Sequence, residues 1–227
     1  MILNKWVPLH VLVCTVSALG MMAGLEAQEL PHSCARPDQI AIAHLHLDLK
    51  VDFESQKLAG SATMKLDRRT AASKLYLDTN GLKIFKVQSQ PDGKELKWSL
   101  GEYESNLGRC LSVELVEGVD EVIVYYESQP GAEAVQWLTP EQTTDKKYPF
   151  LFTQSQAILA RTWVPCQDTP AVRMTYSAKI EVPPELLAVM SASNPLPSSC
   201  SESTRPSTFF WSYLATVCVT NAVTDSA

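Results

Sequence analysis

The chain has 227 residues, 45% hydrophobic and 19% charged, which is enough apolar material for a packed core and excludes wholesale disorder. A net charge of −6 excludes the basic stripe that a nucleic-acid surface needs. Only 9 glycines against 14 prolines argue against a Gly-rich phosphate cradle, and 4 histidines limit any metal or acid–base site.

Met1 to Leu25 holds one charge, Lys5, and Val11 to Leu25 is mainly apolar, with breaks that include Thr15, Ser17 and Gly20. A basic start, a short apolar run and small residues near its end describe a secretory signal. Residues 1–27 are therefore expected to be a signal peptide, with Gly20 or Ala27 as the exit, and the chain to be secreted. The run is short for a bilayer span of about 20 residues. A membrane anchor follows only if the signal stays uncleaved. Beyond Ala27 five cysteines remain: Cys34, Cys110, Cys166, Cys200 and Cys218. Their irregular spacing, without any CxxC, shows no disulfide framework and no thiolate metal site.

From Ile40 the chain alternates. Leu45, Leu47, Leu49, Val51 and Phe53 fall on one face, and His44, His46, Asp48, Lys50 and Asp52 on the other. This is the period of a half-buried strand. Leu58, Gly60, Ala62, Met64 and Leu66 repeat the pattern. Further strands are expected at Leu75–Asp78, Leu82–Val87, Glu95–Leu100, Leu111–Leu115, Val122–Tyr126, Arg173–Val182 and Leu186–Met190. Turn residues punctuate them, among them Asn80-Gly81, Pro91-Asp92-Gly93 and Glu117-Gly118. Many short strands between turn signals predict an all-β fold, an antiparallel sandwich, over residues 39–193. Residues 194–227 form a Ser/Pro-rich tail with an apolar end, Phe209–Val219, that either adds a strand or stays unpaired.

Chemistry is sparse. His44 and His46 share a strand face, but a zinc site needs a third protein ligand and a supporting shell. They read as two exposed histidines. There is no H-E-x-x-H and no G-x-S-x-G in the chain. Cys166 reads as structural and Asp168 as a turn residue capping backbone N–H groups. No catalytic, metal or cofactor-binding residue is assigned. The informative segment is Thr153-Gln154-Ser155-Gln156-Ala157, where two glutamines project from one face of a predicted strand. Each offers an acceptor and a donor, suited to a peptide backbone or a free amino group.

Longer motifs surround that segment. Ala134-Val135-Gln136-Trp137-Leu138-Thr139-Pro140-Glu141-Gln142-Thr143, the Gln154 segment, and Pro165-Cys166-Gln167-Asp168-Thr169-Pro170-Ala171-Val172 occur in order. With His44-Leu45-His46-Leu47, Leu77-Asp78-Thr79 and Val189-Met190-Ser191-Ala192-Ser193 they resemble the leukotriene-A4 hydrolase and aminopeptidase B branch of the zinc aminopeptidases, peptidase family M1. The resemblance runs from about His44 to Ser193 and implies the family's large, saddle-like N-terminal β domain. It implies that Gln154, Ser155 and Gln156 line a substrate cleft and contact the N-terminal end of a bound peptide. Family members of the aminopeptidase N type carry Glu at the second position. Gln156 would give the substrate ammonium a neutral acceptor, a weaker electrostatic hold. In the family, zinc sits in H-E-x-x-H and a G-x-M-E-N segment holds the amino group; neither occurs here. The expectation is a front domain cut off before its zinc site and inactive alone, whose partners are peptide N-termini and a missing catalytic domain. The alternative is a stand-alone peptide-binding module.

Overall fold

The computed structural model describes residues 32–192 and the backbone of three short strands in the tail. The expected signal segment lies outside the described residues. In chain order the strands are β1 (Ile40–Asp52), β2 (Lys57–Arg68), β3 (Lys74–Thr79), β4 (Lys83–Gln90), β5 (Trp98–Leu100), β6 (Arg109–Glu114) and β7 (Glu121–Glu127). There follow β8 (Val135–Leu138), β9 (Phe150–Thr153), β10 (Arg173–Glu181), β11 (Leu186–Val189), β12 (Glu202–Ser203), β13 (Phe209–Phe210) and β14 (Cys218–Asn221). The all-β expectation holds.

The largest sheet runs β10-β1-β2-β7-β4, a second runs β11-β14-β9-β8, and a third β3-β6-β5. Leu45, Leu47 and Leu49 of β1 and Ala62 and Met64 of β2 are fully buried. They share one core with Leu75 and Leu77, Leu111 and Val113, Val122, Val124 and Tyr126, and Trp163. Each such leucine contributes about 1.5–3 kcal/mol over an exposed one. Gly60 interrupts the inner row of β2 for a steric reason: a Cβ there would stand 2.0 Å from the Asp48 carbonyl oxygen.

One junction departs from the antiparallel expectation. β10 pairs with β1 in parallel, Leu45 opposite Tyr176 and Leu47 opposite Ala178. Alternation marks which side chains point inward but carries no information on strand direction, so a parallel partner more than a hundred residues away was invisible in the pattern. The tail adds strands: β12 and β13 pair with β10, and β14 lies between β9 and β11.

The histidine pair spans the β1–β10 junction and is half-buried rather than exposed. His44 Nδ1 lies 2.7 Å from Thr175 Oγ1 and its Nε2 3.0 Å from Ser177 Oγ; His46 Nδ1 lies 2.8 Å from the same Ser177 oxygen. The Thr175 hydroxyl donates to the Ala43 carbonyl at 3.4 Å. That orders the protons: His44 donates from Nδ1 and accepts at Nε2 from Ser177, which accepts from His46. A second proton on His44 would break this order. Burial holds the His44 pKa below its ordinary 6.5; His46 and Lys65 push the same way and Glu121 opposes.

The sign follows from proton counting. Between pH 6.5 and the lower folded value the unfolded chain takes up the proton first, so stability falls as the solution is acidified. Thermal unfolding from pH 8 to pH 5 should show this loss, and H44Q should flatten the slope. Equal slopes for the two proteins would contradict the proton-ordered chain.

Candidate functional site

β9 ends at Thr153, and the Gln154–Leu159 segment turns into a short 3₁₀ helix at Ala160–Thr162. Gln154 is the last residue tied to the hairpin, its N–H donating to the Ala134 carbonyl at 2.8 Å. Gln154 and Gln156 are exposed and Ser155 is buried between them. The glutamines therefore do not stand on a strand face as expected; they lie in the loop beyond it. Local bonds displace the ladder. The Gln156 N–H donates to Gln154 Oε1 at 3.0 Å, and the Leu159 N–H to the Ser155 carbonyl at 2.9 Å. The inward–outward alternation nevertheless persists through Gln156, and the Gln156–Ala157 peptide is cis.

Ser155 turns inward. Its hydroxyl oxygen accepts from the indole N–H of Trp163 at 3.1 Å, and both side chains are buried. Thr162 closes the far side: its hydroxyl donates to the Leu159 carbonyl at 2.7 Å and accepts from the Ala134 N–H at 3.2 Å. The loop is thus anchored from below, leaving the two exposed amides on top.

Beneath the loop lies an ionic cluster. Arg161 is fully buried. Its Nε donates to Asp168 Oδ2 at 3.0 Å, Nη1 to the Leu107 carbonyl at 3.0 Å, and Nη2 to the carbonyls of His32 at 2.8 Å and Asp168 at 3.2 Å. Asp78, also buried, stands 3.8 Å from Nη1. It accepts from the Cys34 N–H and the Asp168 N–H, each at 2.9 Å, and from the Ser33 hydroxyl. Two carboxylates face one guanidinium, and backbone donors help carry the excess charge. Burial pushes the Asp168 pKa up, and Arg161 opposes that rise.

Asp168 thus does cap a backbone N–H, that of Arg161 at 3.2 Å, but inside the protein and as half of an ion pair rather than in an open turn. The Cys166 backbone bridges Asp78, and its free thiol is buried. Burial, with Asp168 and Asp78 adding, drives that thiol far above the usual cysteine range, so it is no nucleophile. Gln167 receives the Ile42 N–H at 2.9 Å and donates to the Ile40 carbonyl at 2.8 Å, filling the gap where the β1–β2 register shifts. The reading that no disulfide framework exists is corrected: Cys34 and Cys110 are bonded, 76 residues apart. Neighbouring strand pairs, not cysteine spacing, bring them together, since Cys110 sits opposite Asp78 on β6.

Among the described residues no three or more His, Cys, Asp or Glu side chains form a metal site. The donors present do not fit a zinc ion, so no step is routed through one.

The peptidase M1 N-terminal domain family matches residues 41–209. The chain belongs to that family. The match reaches past Ser193, where the motifs stop being legible. Leukotriene A-4 hydrolase of Xenopus laevis is 41% identical over 168 residues, covering 71% of this chain and 27% of that protein. Leucine aminopeptidase 2 of Yarrowia lipolytica is 42% identical over 136 residues, 59% of this chain and 21% of its own length. The chain therefore spans about a quarter of these relatives. The structure of yeast LTA4 hydrolase in complex with bestatin superposes with a TM-score of 0.74 at 28% identity, over 84% of this chain and 30% of that one. An M1 zinc metallopeptidase of Deinococcus radiodurans shares the fold at 18% identity and TM-score 0.62, over 82% of this chain and 43% of that one.

Arg161→Met keeps the volume and strands two buried carboxylates. Urea unfolding at pH 7 should show a loss of about 3–5 kcal/mol. A midpoint unmoved by the substitution would mean that the cluster is dispensable.

Proposed function

We propose that this chain is the substrate-recognition front of a secreted zinc aminopeptidase, and that its loop at Gln154 and Gln156 receives the free amino end of a peptide. The observation that carries the reading is the pair of exposed amides held on a buried anchor by Ser155, Trp163 and Thr162. Gln154 Oε1 already takes one N–H from Gln156 and keeps a second lone pair. An ammonium group brings three donors, so two neutral carbonyl acceptors can share it without placing a carboxylate in the loop. The relatives point the same way, since yeast LTA4 hydrolase was solved with bestatin.

Recognition is the whole of the role proposed for these residues. Hydrolysis in this family belongs to zinc, which would be held by the H-E-x-x-H of a catalytic domain; this sequence contains no such motif. The chain alone is accordingly proposed to bind peptides and not to cleave them. Secretion rests on the apolar N-terminal segment, and the Cys34–Cys110 disulfide suits an oxidising compartment.

One observation favours the stand-alone module. β14 lies between β9 and β11, so the tail supplies a central strand to the sheet that carries the loop. A strand in that position covers the edges that β9 and β11 would otherwise leave unpaired.

NMR titration with a short peptide separates these ideas from nothing at all. Side-chain amide signals of Gln154 and Gln156 should shift with a free amino terminus and not with its acetylated form. Replacing both glutamines by alanine should weaken binding about tenfold or more, the loss expected for hydrogen bonds to a charged group. Equal binding of the acetylated peptide would defeat the assignment.

A further inference from the structure

Residues 32–39, ahead of β1, form no helix or strand, yet they complete the buried cluster. His32 gives its carbonyl to Arg161 Nη2 at 2.8 Å, and its ring Nε2 lies 2.9 Å from Thr169 Oγ1. Ser33 and Cys34 donate to Asp78. These contacts reach both the β3 carboxylate and the guanidinium under the Gln154 loop. Cys34 is then tied covalently to Cys110 on β6. This short strap thus combines polar contacts to the cluster with one disulfide cross-link to β6.

The disulfide is reachable. Both cysteines are half-buried and line a cavity of about 190 Å³ with Arg36, Arg109, Asp78 and Glu104. The two arginines favour a departing thiolate, and the two carboxylates oppose it.

We propose that Cys34–Cys110 is a thiol–disulfide exchange site whose reduction by a dithiol frees the strap and loosens the Gln154–Trp163 loop, while the β1–β2–β7 sheet stays folded. A dithiol thiolate attacks one cysteine sulfur and releases the other as thiolate, leaving a mixed disulfide. The second thiol of the reductant then displaces the first cysteine. The protein gains two electrons and two protons, and the dithiol leaves as its own disulfide. Without the covalent tie residues 32–36 are held by a few hydrogen bonds and the buried Ala35, with no strand pairing, the kind of segment that opens locally. Its opening exposes Arg161 and Asp78 to water, and the 3₁₀ turn that closes the loop loses its fixed neighbour. The inference concerns the loop's mobility and stands whether or not the loop binds peptides.

Hydrogen exchange read by mass spectrometry tests it on the full chain, oxidised and after dithiothreitol, with alkylation confirming that Cys34 and Cys110 have become thiols. Exchange in residues 32–36 and 154–163 should quicken about tenfold or more, with peptides of β1, β2 and β7 unchanged. Three results overturn the proposal: a disulfide that resists the dithiol in the folded chain, reduction without faster exchange at 154–163, or faster exchange throughout. The last would make the bond a general staple. C110S should behave like the reduced chain; should that variant fail to fold while the reduced wild type stays folded, the wild-type comparison decides.

Discussion

A guanidinium placed in a dry interior must find acceptors for its N–H groups, and two carboxylates beside it must find donors, or the cost of burying them exceeds what their attraction returns. Arg161, Asp78 and Asp168 meet this demand with partners from widely separated parts of the chain. The carbonyls of His32 and Leu107, the N–H groups of Cys34 and Asp168, and the Ser33 hydroxyl are all required. The N-terminal strap, the turn before β6, β3 and the segment after β9 can each sit in only one place if every bond is to be made. Gly108, beside Leu107, shows how tight that arrangement is: a Cβ there would stand 2.2 Å from the Thr79 carbonyl oxygen.

The same constraint supports the candidate site. Arg161 occupies the middle of the 3₁₀ turn that ends the Gln154 loop, and Trp163, one residue past that turn, reaches back to Ser155. An exposed polar loop is ordinarily mobile. Here its floor is a filled hydrogen-bond network, so two neutral amides can be presented in a fixed relation without strand pairing to hold them.

Most of the fold was legible in the sequence, because period-two alternation states which residues of β1, β2 and β10 face inward. Pairing partners were not, since direction and long-range order leave no local trace; the parallel β1–β10 junction is the example. The candidate loop was marked in the sequence by its two glutamines and by motif resemblance, and its geometry was misjudged because side-chain hydrogen bonds ended the ladder where alternation continued. The ionic cluster left a signal that could have been used. Asp78 closes the apolar run Leu75–Asp78, and Arg161 stands inside the apolar stretch Phe150–Trp163. A charge in such a run must be paired. The disulfide left none, because its partners meet only once β3 and β6 have paired.

The central claim is that Arg161 is locked between its carboxylates in the folded chain. Proton-detected NMR of arginine Nε–H groups measures this directly. The Arg161 Nε–H, donated to Asp168, should exchange with water orders of magnitude more slowly than that of exposed Arg36 and should sharpen only as a single folded state. An Arg161 signal that exchanges as fast as Arg36 would show that the guanidinium is solvated, and the account of strap, strands and loop built on it would fail.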